Sequence, residues 1–294
     1  MGKIANNGIN ERYLPGVHLP DNIHAEVDIQ NCINDVRNIV IVVPSHGFRQ
    51  TLLTIKPWLA ADMRICWATK GFELSTGQLP HQVAEEILDS DKPMAVLSGP
   101  TFAKEVAAGL PTAVTIAANK SEFASSLAEE ISDANFRAYT TKDMIGVEVG
   151  GAVKNVLAIA AGISDGLGLG ANTRIALITR GLVEMTRFGL ALGAMQKTFI
   201  GLAGMGDLIL TCTDNLSRNR RMGLALAVGK TIEEAQKEIQ QIVEGVLSAK
   251  ALHIVANRMD VDMPICLALY RILYEDLAPR EAVAELMGRM IKPE

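Results

Sequence analysis

The sequence predicts an α/β fold in which a parallel, doubly wound sheet is followed by a separate all-α domain. Apolar runs typical of buried strands alternate with helical patterns over residues 38–140, and the strand pattern stops near residue 141. A chain of 294 residues is long enough for about two domains. We therefore expect an α/β sheet domain over 1–140 and an all-helical domain over 141–294.

The sheet half is predicted from strand-like runs separated by helical patterns. The first run, Asn38–Pro44, is continuously apolar and ends at a proline, which is typical of a parallel strand buried on both faces. The other strand-like runs cover 64–69, 94–97, 113–117 and 136–139, and the helical patterns between them extend through residue 58, over 79–88, from residue 101 and over 122–131. Ligands of open α/β sheets bind at the carboxyl ends of the strands, so we expect a site in the cleft between the two domains.

The second half shows helical patterns without strands. Helices are predicted at 142–163, 172–193, 218–228, 231–240, 244–257, 264–275 and 279–290. Gly, Asp and Pro residues separate these stretches, as expected of helix ends.

Composition argues against several classes of function. A formal net charge of −5 argues against a general nucleic-acid-binding protein. We expect no apolar run to reach the roughly 18 residues of a membrane span, and the polar start Met1–Arg12 has no signal-peptide pattern, so we expect a cytoplasmic protein. The four cysteines are widely spaced and should be reduced and mostly buried, and the five histidines lack metal-ligand spacing, so we expect no metal.

A single lysine lies in the most apolar helical stretch. Lys154 is flanked by Gly, Val, Leu, Ile and Ala residues over 146–163, so its helix should be buried. A buried ammonium group is either paired or shifted toward the neutral form, and the neutral-poised state is the one that a proton-transferring lysine requires. The alternative is a lysine whose long stem carries the ammonium group to solvent.

Three other segments could line the same cleft. Lys70 follows a predicted strand and precedes Gly71, which permits a sharp turn. The Ser-Gly-Pro-Thr segment at 98–101 lies between a strand and a helix, where backbone N–H groups can hold an oxygen-rich ligand. Asp207 ends a glycine-rich turn that begins at Gly201. The alternatives are a surface lysine, a common turn and a helix cap, respectively.

A basic cluster opens one helix of this acidic chain. The segment Ser217-Arg-Asn-Arg-Arg221 combines a hydroxyl, a helix amino terminus and guanidinium groups, which together can bind phosphate. A solvated basic face is the alternative. With the lysines and Asp207, this cluster suggests proton transfer on a small phosphorylated molecule, with a cofactor supplying the missing reactive group.

Eight motifs in chain order carry a family resemblance. They are Arg12-Tyr-Leu-Pro15, Ala68-Thr-Lys-Gly71, Ser98-Gly-Pro-Thr-Phe-Ala103, Val153-Lys-Asn155, Gly201-Leu-Ala-Gly-Met-Gly-Asp-Leu208, Thr211-Cys-Thr-Asp-Asn215, Ser217-Arg-Asn-Arg-Arg221 and Val243-Glu-Gly245. The chain resembles the bacterial NAD(P)-dependent glycerol-3-phosphate dehydrogenases over essentially its whole length. These enzymes reduce dihydroxyacetone phosphate to sn-glycerol 3-phosphate for phospholipid synthesis, and a homodimer is compatible with the resemblance.

The resemblance implies a role for each matching residue. Lys154 would exchange the proton of the substrate 2-hydroxyl, and Lys70 and Asp207 would be catalytic residues that orient the substrate and tune Lys154. Substrate-binding positions are implied at Lys70, Gly99, Thr101, Lys154, Asp207, Ser217, Arg218 and Asn219. Positions that bind NAD or NADP are implied at Lys70, Ala103, Arg218, Ile242 and Glu244.

The chain departs from the family at its start. Family members begin with a strand, a G-x-G-x-x-G turn and a helix that cradle the cofactor pyrophosphate, whereas here residues 1–11 lead directly into the Arg12 motif. We therefore expect a Rossmann-like parallel sheet domain that is truncated at its N-terminus, has apolar sheet edges exposed and binds dinucleotide poorly. We hypothesise that Met1 is an internal methionine of a longer reading frame; a stop codon immediately upstream in the source DNA would contradict this.

Two alternatives follow from this departure and from the shared two-domain plan. The first is a catalytically inactive remnant that binds a phosphorylated ligand or a partner without turnover. The second is a related dehydrogenase acting on a β-hydroxy acid, against which the phosphate-type cluster at 217–221 argues.

Overall fold

The fold is described by a computed structural model over residues 4, 8–89 and 91–290, which leaves most of the polar segment at 1–7 outside the described residues. Five strands form one sheet in this part of the chain, and they lie in sequence order. They are Asn38–Ile41 (β1), Arg64–Trp67 (β2), Met94–Ser98 (β3), Thr112–Ala118 (β4) and Phe136–Thr141 (β5). Each strand that the sequence predicted is present.

The sheet is parallel except at one pair. β1–β2, β2–β3 and β4–β5 are parallel, but β4 runs antiparallel to β3, with Ser98 opposite Thr115. The predicted parallel sheet is therefore present, with one antiparallel pair that the sequence did not predict. The connection from β3 to β4 holds only the five-residue helix Ala103–Ala107 (α4), which is too short to carry the chain across the sheet for a parallel return.

Helices cover the sheet, and β1 forms one of its two edges. The helices are Ile29–Ile33 (α1), Phe48–Ile55 (α2), Pro80–Ile87 (α3) and Ser121–Ile131 (α5), besides α4. Trp67 is fully buried and packs edge-on against Phe48 at 5.5 Å between ring centroids. β1 pairs only with β2 among the described strands, and Val40 and Val42 beside its open edge are 53% and 70% exposed. The expectation of an exposed apolar edge is therefore confirmed.

Only helices follow β5 in the described residues. They are Met144–Gly166 (α6), Gly170–Ala191 (α7), Gln196–Phe199 (α8), Asp207–Thr213 (α9), Arg218–Ala227 (α10), Ile232–Ile239 (α11), Glu244–Arg258 (α12), Pro264–Tyr274 (α13) and Pro279–Met287 (α14). The sequence located the long helices closely. It predicted a turn over 201–207, but Leu202–Gly206 form a π-helical turn that leads directly into α9.

α6 is the central helix of the molecule. It begins at Asp143, whose carboxylate accepts a hydrogen bond from the Gly146 amide at 2.9 Å. Its first turn packs in the core beneath the sheet, and the remainder is in the core of the helical half. With 23 residues it is long and apolar enough to cross a membrane by length and composition, although it contains Glu148 and Lys154, and 89% of its most apolar window is buried inside the fold. We therefore interpret it as a core helix.

Two glycines let α10 cross α6 at backbone contact. A Cβ added to Gly162 would lie 2.1 Å from the Arg220 carbonyl oxygen, and one added to Gly223 would lie 2.0 Å from the Ile159 carbonyl oxygen. The helix that carries the basic cluster is therefore fixed against the helix that carries Lys154.

Candidate active site

Two lysines share one carboxylate where the two halves meet. Lys154 Nζ lies 2.5 Å from Asp207 Oδ1, and Lys70 Nζ lies 2.7 Å from Asp207 Oδ2. Lys154 also donates to Thr211 Oγ1 at 3.0 Å, while the Thr211 hydroxyl donates to the Asp207 carbonyl oxygen at 2.6 Å. These two acceptors leave one N–H of the Lys154 ammonium without an acceptor in the described part of the chain.

The site favours a lysine close to its neutral form. Burial is the largest influence and lowers the pKa of Lys154 to about 8; the Lys70 charge acts in the same direction and Asp207 opposes both. Burial alone would raise the pKa of Asp207, but the two ammonium groups outweigh it and hold that pKa below its usual range. Asp207 therefore stays ionised, while Lys154 can gain or lose a proton near neutral pH.

Local backbone features place the carboxylate beside Lys154. α6 has Gly150 where the π-helical turn crosses it, and a Cβ there would lie 2.3 Å from the Ala203 carbonyl oxygen. The π turn brings Asp207 to the first position of α9, with Thr211 one turn later on the same face. Asp207 points to the lysines and does not cap its helix.

Glycines also place Lys70. Gly71, with φ of 124°, turns the chain directly after Lys70 in a conformation that favours glycine. A Cβ on Gly151 would lie 3.3 Å from Lys70 Cγ, so the absence of a side chain there lets the lysine stem lie along α6. The Lys70 ammonium reaches the Gly99 carbonyl oxygen at 3.5 Å, and the Thr101 hydroxyl donates to the same oxygen at 3.3 Å. The Ser-Gly-Pro-Thr segment is thus in the site.

The start of α10 meets α6 and α12 through an amide pair. Asn219 Nδ2 donates to Asn155 Oδ1 at 2.9 Å, and Asn219 Oδ1 accepts from the Gly245 amide at 2.9 Å. Ser217 caps α10 by accepting a hydrogen bond from the Arg220 amide at 3.2 Å, which leaves its hydroxyl proton available to a ligand. Asn219 and Ser217 are both buried, and Asn219 is bonded to Asn155, which follows Lys154 in the chain.

The basic cluster divides into an outer and an inner part. Arg218 is exposed and makes no ion pair within the described residues. Arg220 is buried and donates to the Cys212 carbonyl oxygen at 3.1 Å and to Asp165 at 2.5 Å. Within the predicted phosphate-binding segment, Arg220 therefore faces inward, and its partner Asp165 is distant in sequence.

Two of the implied cofactor positions, Lys70 and Glu244, lie at one turn of the chain. Glu244 accepts from the Ser45 hydroxyl at 2.7 Å and lies beside the Lys70–Gly71 turn, because a Cβ on Gly71 would be 3.2 Å from Ser45 Cβ. Ala103, Arg218 and Ile242 are exposed. Ser248 Oγ would be 3.3 Å from a Cβ on Gly71, and Ser98 Oγ would be 3.2 Å from a Cβ on Gly151; both are buried and have no hydrogen-bond partner among the described residues. Orphaned hydroxyls at a cleft fit a polar ligand such as a dinucleotide.

Several residues of the site carried no readable role in the sequence. Thr211 lies within one of the family motifs, but nothing in the sequence indicates its role. Ser45 and Glu148 belong to none of these motifs. A hydroxyl residue in a short helix has no distinguishing pattern. Glu148 offered a usable signal, because it is a carboxylate in the same apolar helical stretch as Lys154. In the structure it is only 3% exposed.

The sheet, the helical half and the buried Lys154 between them, which can exchange a proton, together define a Rossmann-like dehydrogenase. Both halves match models of one family: residues 1–124 match the N-terminus, and residues 143–284 the C-terminus, of NAD-dependent glycerol-3-phosphate dehydrogenase. The chain belongs to this family, as its motifs predicted.

Individual relatives agree with the family models. The chain is 54% identical to glycerol-3-phosphate dehydrogenase [NAD(P)+] of Bartonella henselae, over 97% of this chain and 84% of that protein. It is 51% identical to the enzyme of the same name from Tolumonas auensis, over 100% and 88%. The crystal structure of glycerol-3-phosphate dehydrogenase from Coxiella burnetii superimposes with a TM-score of 0.95 at 48% identity, covering 98% of this chain and 88% of that one.

These relatives bear on both alternatives. They are named as dehydrogenases, and a non-enzymatic remnant finds no support among them. A reductase of a different substrate class, 2-dehydropantoate 2-reductase from Geobacter metallireducens, has a TM-score of 0.52 at 13% identity, which indicates a shared fold alone.

Proposed function

We propose that this chain interconverts dihydroxyacetone phosphate and sn-glycerol 3-phosphate with NAD or NADP, supplying phospholipid synthesis in the cytoplasm. The observation that carries the proposal is the Lys154 ammonium group, which is buried, bound to Asp207 and Thr211, and left with one N–H for a substrate oxygen. Its pKa of about 8 suits a group that donates a proton in one direction and accepts it in the other.

Lys154 acts on the oxygen at substrate C2. In the reducing direction its ammonium donates a proton to that oxygen as the carbonyl gains negative charge, and in the oxidising direction the neutral amine removes the hydroxyl proton. When bound, the nicotinamide cofactor donates or accepts the hydride at C2. Asp207 keeps the two lysines in place, and Lys70, which is also bound to Asp207, is close enough to orient the substrate oxygen.

The start of α10 holds the substrate phosphate. The hydroxyl proton of Ser217, the second amide proton of Asn219 and the Arg218 guanidinium group can donate to phosphate oxygens at the positive end of a ten-residue helix. The backbone at Gly99 and the Thr101 hydroxyl close the opposite side of the pocket beside Lys70.

The cofactor is held by residues around the Lys70–Gly71 turn. Lys70, Ala103, Arg218, Ile242 and Glu244 take this role, and the unpartnered hydroxyls of Ser98 and Ser248 supply further hydrogen-bonding capacity there.

Association into a homodimer belongs to the same proposal. The outer face of α7 presents Ile175, Val183 and Leu190, which are 56%, 40% and 46% exposed. An apolar stripe of this kind on a long helix favours burial against a second copy of the chain. Sedimentation velocity of the unaltered chain and of Val183→Lys tests it: the variant should sediment as a monomer.

Turnover by the purified chain tests the function directly. NADPH and NADH oxidation would be followed at the nicotinamide absorbance with dihydroxyacetone phosphate added. Lys154→Ala should lower kcat/KM by roughly 10²- to 10⁴-fold because the proton donor is lost. Lys56→Ala, an exposed lysine outside the site, should keep the rate of the unaltered chain. A folded chain without turnover, or Lys154→Ala with unaltered turnover, would contradict the proposal.

A further inference from the structure

A second carboxylate of α6 is buried away from the proposed chemistry. Glu148 is 3% exposed, and its two oxygens accept three hydrogen bonds from the sheet half. Oε1 accepts from Trp67 Nε1 at 2.9 Å and from the His81 amide at 2.9 Å, and Oε2 lies 2.5 Å from His81 Nδ1. Burial alone would lower the pKa of His81, but the hydrogen bond and the charge of Glu148 outweigh it and the pKa is raised.

These bonds join the two elements that carry the lysines. Trp67 ends β2, three residues before Lys70, and Glu148 precedes Lys154 by six residues on α6. On α6, Gly151 lies between Glu148 and Lys154, about one turn after Glu148. The stem of Lys70 lies along the helix at this glycine. The chain after β2 therefore follows α6, held first by the Trp67–Glu148 bond and then by the Lys70–Asp207 bond.

We infer that Glu148 is a positioning residue for the reaction: by holding Trp67 and His81 against α6, it fixes Lys70 beside Asp207 and Lys154. The inference deepens the proposed function and rests on it for the role of the two lysines. Glu148 does not touch the Lys154–Asp207 pair, so it acts through the placement of Lys70.

The placement of Lys70 has an electrostatic consequence. Asp207 and Thr211 face Lys154 from α9, and Lys70 faces it from the turn after β2. Of these groups, Lys70 is the one whose charge disfavours a second ammonium nearby. If Lys70 moves away, Lys154 should hold its proton to higher pH. A residue that served only to stabilise the fold would leave this titration unchanged.

The test compares two variants with two matched controls. Glu148→Gln keeps the side-chain shape but removes the charge, and Trp67→Phe keeps the ring beside Phe48 but removes the N–H donor. Glu184→Gln changes another carboxylate, 3% exposed, which accepts the Ile265 and Cys266 amides in the helical half. Trp58→Phe changes the second tryptophan, which is 40% exposed.

Two readouts separate this inference from the proposed function. The first is the pH profile of kcat/KM for dihydroxyacetone phosphate reduction. The second needs no turnover: the pH dependence of Lys154 acetylation by trace acetic anhydride, measured by mass spectrometry of its peptide. Glu148→Gln and Trp67→Phe should move both titrations upward by roughly half a pH unit or more, and kcat should fall by about 10-fold. Both controls should titrate like the unaltered chain.

The outcomes are distinct. An unshifted Lys154 titration in folded Glu148→Gln and Trp67→Phe, with only the loss of stability that Glu184→Gln also shows, would overturn the inference. An unaltered chain without turnover would overturn the proposed function, and the acetylation profiles would still decide the positioning role.

Discussion

Asp207 binds two ammonium groups in the candidate active site, so the cluster of three side chains carries a net positive charge. This charge would attract a phosphorylated substrate, and the Lys70 charge lowers the pKa of Lys154. The protonation of Lys154 therefore depends on the position of Lys70 as well as on burial. Single-residue changes at this cluster should be visible in pH profiles.

The two directions of the reaction should depend on pH with opposite sign. Since the pKa of Lys154 is about 8, the kcat/KM for ketone reduction should be level below that pH and fall above it, while alcohol oxidation should rise through the same range. Lys70→Met removes a like charge, so the break, which is the pH at which kcat/KM for ketone reduction begins to fall, should lie higher. Lys70→Arg keeps the charge and should leave this break in place. An identical break in both variants would contradict this account.

At this scale the sequence was a good guide to some residues and silent on others. Lys154 could be selected because a charged group in an apolar helix is unusual, whereas Thr211 and Ser45 resemble any other hydroxyl residue. Arg220 could not be separated from Arg218 by pattern. Its inward orientation depends on Asp165, which only the crossing of α6 and α10 brings near.

Among the helices, α13 begins at a carboxylate supplied by α7. Glu184 accepts the amides of Ile265 and Cys266 at 2.7 and 3.1 Å, and burial raises its pKa to about 7 despite these bonds. The folded state then binds more protons than the unfolded state between pH 4.5 and about 7, so this group stabilises the fold most at low pH.

Urea unfolding at pH 5 and pH 7.5 tests this contribution. The unaltered chain should lose on the order of 2 kcal/mol of unfolding free energy over that range from Glu184, and Glu184→Gln should lack this part of the dependence. Glu122→Gln, an exposed change on α5, serves as the control. Equal pH dependence in Glu184→Gln and in the unaltered chain would rule the contribution out.

The crossing of α6 and α10 predicts a costly glycine substitution. In Gly223→Ala, the added methyl group would overlap the Ile159 carbonyl oxygen and force the helices apart, at a cost of about 2 kcal/mol or more. In Gly47→Ala, where the methyl group would be 4.0 Å from Val43, the urea midpoint should change little. A Gly223→Ala midpoint equal to that of Gly47→Ala would show that the helices can separate without cost.

Element positions were largely predictable because periodicity identifies long helices and buried strands. The π turn before α9 was not, since five residues with two glycines give no periodic signal and resemble a loop. The reversed direction of β4 was also missed. Strand direction depends on how far the connection can reach, and sequence patterning does not report this.

For the molecule as a whole, the open edge of β1 affects behaviour in solution. An unpaired strand edge with exposed valines can pair with another chain. Val42→Lys should therefore reduce concentration-dependent light scattering without lowering the urea midpoint. Val27→Lys, at a residue that is 76% exposed and outside the sheet, is the control. If the two variants scatter equally, the edge is not the cause of association.

The central helix also limits how the cleft can open. Met144 and Val147 belong to the core beneath the sheet, while the rest of α6 is in the core of the helical half, without a break in the helix at Lys154. A hinge motion between the halves would have to bend this helix or remove its first turn from the core beneath the sheet. Substrate should therefore enter by movement of side chains and surface turns around α6, while the helix itself and Lys154 on it keep their positions.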